Sequence, residues 1–423
     1  MSFLLTILLF LALAGLPLFL VLSGLALVGF TSADLNLTIY FAELLRLANT
    51  PTLVAIPLFT LAGYILAESK APERLVRLAR ALFGNLPGGL ALVALLVMAL
   101  FTAFTGASGI TIVAMGGLLL PALLKSGYPK KFSLGLLTAS GSIGLLFPPS
   151  LPLILYGVVS ETPIDSLFIA GILPGLLLVS GMAAFGIFKG LKMDRKAEDA
   201  VREPLLPAIK SAIWEIPLPF IVVGGIYGGF FTVSEAAVVT AVYLIIIECF
   251  IIRDIHPFKQ LPRILMESSV LIGGILVILA AALALTNYLI YADVPMVLLG
   301  WIKAAVKSRF AFLLLLNLFL LMVGFLMDVF SALVVVVPLI LPLALDYGVD
   351  PIHLGIIFLA NLEIGYCTPP VGLNLFIASF RFQQPIMSLY RAALPFLAIQ
   401  LVILALITYI PALSLLPLQL FNH

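Results

Sequence analysis

Apolar residues run along this chain in long blocks, without the polar interruptions that a water-facing helix or strand carries. Blocks near the roughly twenty residues a helix needs to cross a bilayer occupy 3–30, 50–67, 131–157, 165–189, 212–230, 234–252, 267–289, 352–380 and 387–417. Two further blocks, 88–125 and 310–346, are broken midway by FTGASG (104–109) and MDVFS (327–331). Each half is short for a span. Irregular backbone at membrane depth survives only where it is buried or lines a cavity. Each broken block is therefore expected to be a re-entrant helical hairpin; two tilted spans joined by a tight turn is the plainer alternative.

Polar sequence is scarce. Residues 189–210 form one hydrophilic loop. In 70–83, basic residues at 74, 77 and 80 fall three apart beside Leu75, Val76, Leu78 and Leu82, the pattern of an amphipathic helix lying in the interface. The N-terminus is apolar from residue 3 and has no basic flank, so a first membrane helix is expected and not a cleaved signal.

The chain repeats itself. A shift of 221 residues places Pro148-Pro149 on Pro369-Pro370, Pro121 on Pro342, Gly127 on Gly348, Gly144 on Gly365 and Pro174 on Pro395. The same shift superposes the two broken hairpins. Units of roughly 1–190 and 222–411 follow. Counting a hairpin as no crossing, the first unit has four spans, and the extra span at 212–230 starts the second unit on the opposite side. The repeats are expected to be inverted. Charge supports this: with the N-terminus inside, 18 of the 22 Lys and Arg fall on or near the cytoplasmic side, as the positive-inside rule requires. Arg46, Lys303, Lys307 and Arg309 fall outside, and the outer turns carry Asp34, Glu161, Asp165, Asp346 and Asp350.

Composition narrows the function. Of 423 residues 63% are hydrophobic and 10% charged, with a mean hydropathy of +1.25. Soluble domains are about 25% charged, so water-soluble enzymes, nucleic-acid binders and disordered chains are excluded. Cys249 and Cys367 imply no disulfide framework, and His256, His353 and His423 have no metal-ligand spacing.

Inverted repeats with interrupted helices belong to secondary transporters, whose sites lie near the midplane where the broken helices meet. SGSIGLLFPPS (140–150) and NLEIGYCTPPVGLN (361–374) mark such breaks. Proline removes a backbone donor, flanking glycines let the chain uncoil, and the freed carbonyls are joined by Ser140, Ser142, Ser150, Asn361, Thr368 and Asn374. An oxygen-rich cage of low charge suits Na⁺; a proline kink with locally bonded hydroxyls is the bland reading. The first hairpin tip, Thr105, Gly106, Ala107, Ser108 and Gly109, offers hydroxyls and the free N–H groups of a helix start, which favour anions. Asp328 occupies the second tip, as a functional carboxylate or a helix N-cap. Glu215, Glu235, Glu248 and Glu363 are further candidates, with Glu215 and Glu235 expected near the surface. No Lys or Arg lies deep in a span, so a bound anion would be neutralised by co-bound cations and helix dipoles.

The residues closely resemble the large membrane subunit of tripartite ATP-independent periplasmic (TRAP) transporters. Matching stretches include AIPLFTLAGYIL (55–66), GNLPGGLA (84–91), FTGASGITIVAMG (104–116), GYPKKFSLGLLTASGSIGLLFPPSLPLILYG (127–157), FIAGILPGLLL (168–178), GGFFTVSEAA (228–237), MDVFSALVVVVPLILPLA (327–344) and NLEIGYCTPPVGLNLF (361–376). Two turns depart: FTVSEA stands where the family has Thr-Pro-Thr-Glu, and FTGASG where it has Gly-Ser-Ser, leaving one tip hydroxyl fewer. The resemblance implies an all-α polytopic membrane protein of the elevator-type ion-transporter superfamily, with inverted repeats, two re-entrant hairpins and two Pro-Pro-interrupted helices. It implies Na⁺-driven import of an organic acid such as a C4-dicarboxylate or sialic acid across a bacterial inner membrane. Partners would be a separate small four-helix membrane subunit, a periplasmic substrate-binding protein, the carboxylate substrate and the lipid bilayer. No nucleic acid and no cofactor beyond Na⁺ as coupling ion is expected. Carried over by position, sodium would be held by Gly106, Ser108, Ser142, Asp328, Asn361, Gly365 and Thr368, and substrate by Thr105, Ser108, Pro149, Ser150, Thr368, Pro370 and Asn374.

The expected division is scaffold at 1–83, a first transport half at 84–160, scaffold with the cytoplasmic loop at 161–309, a second transport half at 310–381, and a scaffold helix at 382–423. A stand-alone dicarboxylate symporter of the same superfamily is the nearest rival, separated by dependence on a binding protein. An intramembrane enzyme would need paired catalytic groups; no HExxH and no facing aspartate pair is present, so no catalytic residue is assigned. A channel would lack saturable, gradient-driven uptake.

Overall fold

The chain's leucine, alanine, glycine and phenylalanine blocks have no water to satisfy their backbone groups, and helices close those hydrogen bonds within each segment. The computed structural model describes residues 10, 15–84, 86, 88–191, 204–369 and 371–421, and the side chains of these apart from 43, 44 and 48. All regular structure among them is helical. Eight helices are long and apolar enough to cross a membrane, and a ninth crossing forms if Lys130–Leu146 and Leu151–Ser160, bent by 44° at their break, count as one. The chain is a multi-pass membrane protein.

Both broken blocks are helical hairpins. The first pairs Gly89–Thr105 with Ser108–Lys125, and the second pairs Arg309–Leu326 with Val329–Asp346. Both Pro-Pro motifs interrupt helices, the first between Lys130–Leu146 and Leu151–Ser160 and the second between Pro351–Gly365 and Leu373–Phe382. The 221-residue offset is visible in the packing. The first arm of each hairpin lies on the first half of its own repeat's interrupted helix, and the second arm on the second half of the opposite one. The two interrupted helices touch where they break. Away from the hairpins, Leu18–Ser32 packs on Leu261–Tyr291 and Val233–Ile251 on Pro51–Glu68, the same pairing with the repeats exchanged.

Two expectations need correction. The block at 212–230 is not one uniform span: residues 212–216 form a turn, and the helix after it, Pro217–Tyr227, is short and contains a π-type turn at Phe220–Gly224. Glu215 in that turn is not at the surface but 3% exposed. It joins Glu248 and Asp254 around Arg74, at 2.5 Å from Glu215 and 2.7 Å from Glu248. Arg74 belongs to the expected interfacial helix, Ala71–Phe83, which this ion cluster fastens to the start of the second repeat. Glu235 is exposed as expected and closes a capping box with Thr232. Residues 3–9 and 11–14 of the first block and most of the loop at 189–210 lie outside the described residues.

Two further long helices pack closely on the interrupted ones. Ile386–Tyr409 lies along the first half of the first interrupted helix, where Gly135 leaves room for the Ala392 carbonyl; a Cβ there would stand 2.0 Å from that oxygen. Ile164–Leu191 packs through Gly171 on the Leu146 carbonyl. Phe132, Phe185 and Phe396 join all three helices, with ring centroids 5.3–5.8 Å apart.

Candidate functional site

The site is the crossing of the two interrupted helices with the hairpin tips set against it. Close approach is made possible by glycine. A Cβ on Gly144 would stand 2.1 Å from the Ala99 carbonyl oxygen, and one on Gly365 would stand 2.6 Å from Gly324 Cα. Both glycines therefore seat the first arm of their own hairpin directly on the break. At the first tip, Gly106 closes the arm with φ +63°, a left-handed conformation that side chains resist, and its Cβ position is filled by Leu151. Leu151 opens the second half of the interrupted helix, so tip and break meet as expected.

Hydroxyls converge at this first tip. Thr102 donates to the Gly141 carbonyl at 2.8 Å and reaches Thr111 at 2.8 Å, and Thr105 lies 3.4 Å from Thr111. Ser108 opens the second arm and is buried. Ser150 caps the Leu151–Ser160 helix, and Pro149, in a cis bond with Pro148, is buried beside it. Thr102 and Thr111 were not singled out in the sequence; both lie on hairpin faces turned to the break, and the period of the arms alone carries that signal.

The second tip is built differently. Asp328 is the N-cap of Val329–Asp346, accepting from the N–H groups of Phe330 and Ser331 at 3.0 Å and from the Ser331 hydroxyl at 2.5 Å. Its carboxylate is exposed and committed to the cap. The Val329 N–H donates to Tyr366 at 2.5 Å, which pins this tip to the second break. Thr368 is half-buried and returns its proton to the Ile364 carbonyl at 2.9 Å. Asn361 lies one turn from Gly365, facing the hairpin's first arm; its amide donates to Asn317 at 2.6 Å, and Asn317 in turn meets Thr408. Pro370 lies outside the described residues.

Between the tips the two repeats hydrogen-bond directly. Ser142 donates to the Glu363 carbonyl at 3.2 Å, and the two residues are 221 apart. Asn374 donates to Ser142 at 3.3 Å. Ser142 and Asn374 are thus brought together, whereas Asn361 and Asp328 stand apart from them and from each other's hydrogen-bond partners.

Five buried oxygens in this region have no hydrogen-bond partner among the described residues: Ser140 Oγ, Asn361 Oδ1, Glu363 Oε2, Asn374 Oδ1 and Gln400 Oε1. Native interiors leave few such groups, and each asks for an explanation. All five can accept. A region rich in acceptors and poor in donors is chemically suited to a hard cation, which takes oxygen ligands. No group of three or more His, Cys, Asp or Glu among the described residues could hold a metal ion, so a site of transition-metal type is not present there.

Comparison with known proteins gives one family. The family model "Tripartite ATP-independent periplasmic transporter, DctM component" matches residues 4–413. The chain is 39% identical to the C4-dicarboxylate TRAP transporter large permease protein DctM of Pseudomonas aeruginosa, over 86% of this chain and 85% of that one. It is 36% identical to the isethionate TRAP transporter permease protein DctMQ of Oleidesulfovibrio alaskensis, over 86% of this chain and 57% of that one. It is 32% identical to the ectoine/5-hydroxyectoine TRAP transporter large permease protein UehC of Ruegeria pomeroyi, over 96% and 95%. Among solved structures it shares its fold with the Alcanivorax borkumensis YdaH transporter, at a TM-score of 0.64 and 14% identity, covering 88% of this chain and 87% of that one. The relatives are transporter permeases, not enzymes, and the crossing, hairpins and sequence together place the chain in the TRAP transporter large permease family.

Proposed function

We propose that this large permease imports an organic acid across a bacterial inner membrane by symport with Na⁺, in an elevator movement. It acts with a small four-helix membrane subunit and a periplasmic binding protein that delivers the carboxylate. The observation that carries the reading is the set of unpartnered buried oxygens at the crossing of the interrupted helices. Cations supply what those acceptors lack, and they also supply the positive charge that an anionic substrate finds nowhere in a span free of Lys and Arg. Gly106, Ser108, Ser142, Asn361, Gly365 and Thr368 are the assigned sodium ligands. Asp328 acts chiefly as the cap of the second hairpin tip. Thr105, Pro149, Ser150 and Asn374 line the substrate side.

The moving unit comprises the hairpins and interrupted helices. Ile164–Leu191 and Ile386–Tyr409 are assigned to it as well, in place of the scaffold expected from the sequence; their close packing on the interrupted helices supports this. Uptake by proteoliposomes tests the reading. With the chain, its small subunit and a loaded binding protein, an inward Na⁺ gradient is expected to drive accumulation of a C4-dicarboxylate or another small carboxylate. Uptake that proceeds equally with K⁺ in place of Na⁺, or without the binding protein, would overturn it.

A further inference from the structure

Two of the unpartnered oxygens belong to one pair of residues that the family resemblance does not assign. Glu363 and Gln400 are each 0% exposed. The Gln400 amide nitrogen donates to Glu363 Oε1 at 3.3 Å and to the Ala139 carbonyl at 3.4 Å. That fixes the amide's orientation and leaves Gln400 Oε1 with no donor, just as Glu363 Oε2 has none. No ion pair of the described residues involves Glu363. Beside Ala139, Ser140 carries a third unpartnered buried oxygen.

A fully buried carboxylate without a counter-charge is among the costliest groups an interior can hold. Its surroundings here offer further oxygens and no cationic side chain. We propose that Glu363 is the charged ligand of a cation site, distinct from the hairpin-tip positions, with Gln400 Oε1 as a second ligand. One carboxylate and neutral oxygens match a small monovalent cation, and Na⁺ is the probe. The site lies where the second interrupted helix meets Ile386–Tyr409 and the Ala139–Ser140 turn, and the Glu363 backbone carbonyl already accepts from Ser142 at the crossing. Occupancy is thereby coupled to the seam between the repeats. The proposal rests on the sodium reading above and adds an ion to it.

The test is thermal unfolding of the full chain, with any membrane subunit that co-purifies, in NaCl and in KCl at equal ionic strength. A ligand that binds only the folded state raises stability by an amount set by its concentration and affinity. The wild type is expected to gain in NaCl. Glu363→Gln keeps the shape, removes the charge, and should lose about half or more of that Na⁺-specific gain. In KCl it should unfold no earlier than the wild type, because the neutral amide keeps the volume of the buried acid and its contact with Gln400. If Glu363→Gln does not fold, Gln400→Leu, which keeps Glu363 and deletes one ligand, is expected to weaken the Na⁺ response. A variant with the full wild-type gain in NaCl would overturn this site while leaving sodium coupling intact. A wild type indifferent to Na⁺ would overturn both.

Discussion

Arg74 carries more of the fold than an interfacial basic residue ordinarily does. Its guanidinium is 12% exposed and faces Glu215, Glu248 and Asp254, whose side chains are 2%, 0% and 10% exposed. Removing one partner of such a cluster leaves buried charge uncompensated, which costs about 3–5 kcal/mol. Arg74→Met should therefore lower the unfolding midpoint far more than loss of an exposed ion pair. Its pH dependence has a definite sign. Burial raises the Glu215 carboxyl above its ordinary 4.5, against the pull of Arg74. A carboxyl raised in the folded state contributes stability below its unfolded value and loses it as pH climbs. Without Arg74 that loss is no longer opposed, so the deficit of the variant should widen as pH climbs above the ordinary carboxyl value of 4.5. A deficit constant across that range would show that the carboxylates escape to water. The sequence presented the two ends of this cluster differently. Arg74 was legible as one member of a basic stripe three residues apart. Glu215 was not legible, because its burial depends on a turn at 212–216 inside a block that reads as continuously apolar. Glu363 stood out as a candidate, but its meeting with Gln400 was hidden for a related reason: 37 residues separate them, and only the rotation of two apolar helices decides whether they meet.

Elements were easier to read than side chains, because their signals are local and repeated. Both hairpins followed from a polar tip between two short apolar arms, and both interrupted helices from Pro-Pro flanked by glycine. One element went unread although its signal was present. Val294–Ala305 lies within two residues of the 221-residue shift from the interfacial helix Ala71–Phe83 and is its counterpart in the second repeat. Its polar residues are too few to mark it as interfacial, and it turns Trp301 and Met296 outward, 72% and 63% exposed. Glycine positions show how tightly the elements are set. Gly365 faces Gly324 backbone on its open side, with Gly324 Cα 2.6 Å and its carbonyl carbon 2.7 Å from where a Cβ would stand. Backbone cannot step aside as a flexible side chain can, and overpacking of this kind costs about 1–3 kcal/mol. Gly274, on the long Leu261–Tyr291 helix, has nothing within 4 Å. Alanine there should be neutral or stabilise by about 0.5–1 kcal/mol through the unfolded chain's lost freedom. Unfolding midpoints for Gly365→Ala and Gly274→Ala should thus move in opposite directions, and equal shifts would mean the seam between hairpin and interrupted helix is slack.

At the scale of the whole molecule the decisive question is which surfaces slide. A cavity of about 720 Å³ opens where Arg46, Thr50 and Thr52 face Glu161, Thr162 and Asp165, between the segments near Thr50 and Thr232 and the end of the first interrupted helix. It is distant in sequence and in contacts from the hairpin tips, so it reads as a gap between two bodies more than as the transport site. Among the described residues, Arg46 reaches Glu161 across it at 3.4 Å with both side chains largely exposed, and Tyr227 reaches the Asp165 carbonyl at 3.4 Å. Exposed pairs like this contribute about 0–1 kcal/mol, little enough for a moving body to break and remake. If the hairpin unit travels against the scaffold, tying the two sides together must stop transport without harming the fold. Cysteines placed at positions 46 and 161 and joined by a short bis-thiol linker make that tie; the chain's own Cys249 and Cys367 are both buried. Linked protein should lose Na⁺-driven uptake while keeping its unfolding midpoint, and each single-cysteine variant treated alike should transport normally. Uptake that survives linking would place the moving boundary elsewhere, with Glu161 and the first interrupted helix riding on the scaffold. Because the tie acts at the rim and not at the ions, it separates a sliding body from a gate that opens at the hairpin tips alone.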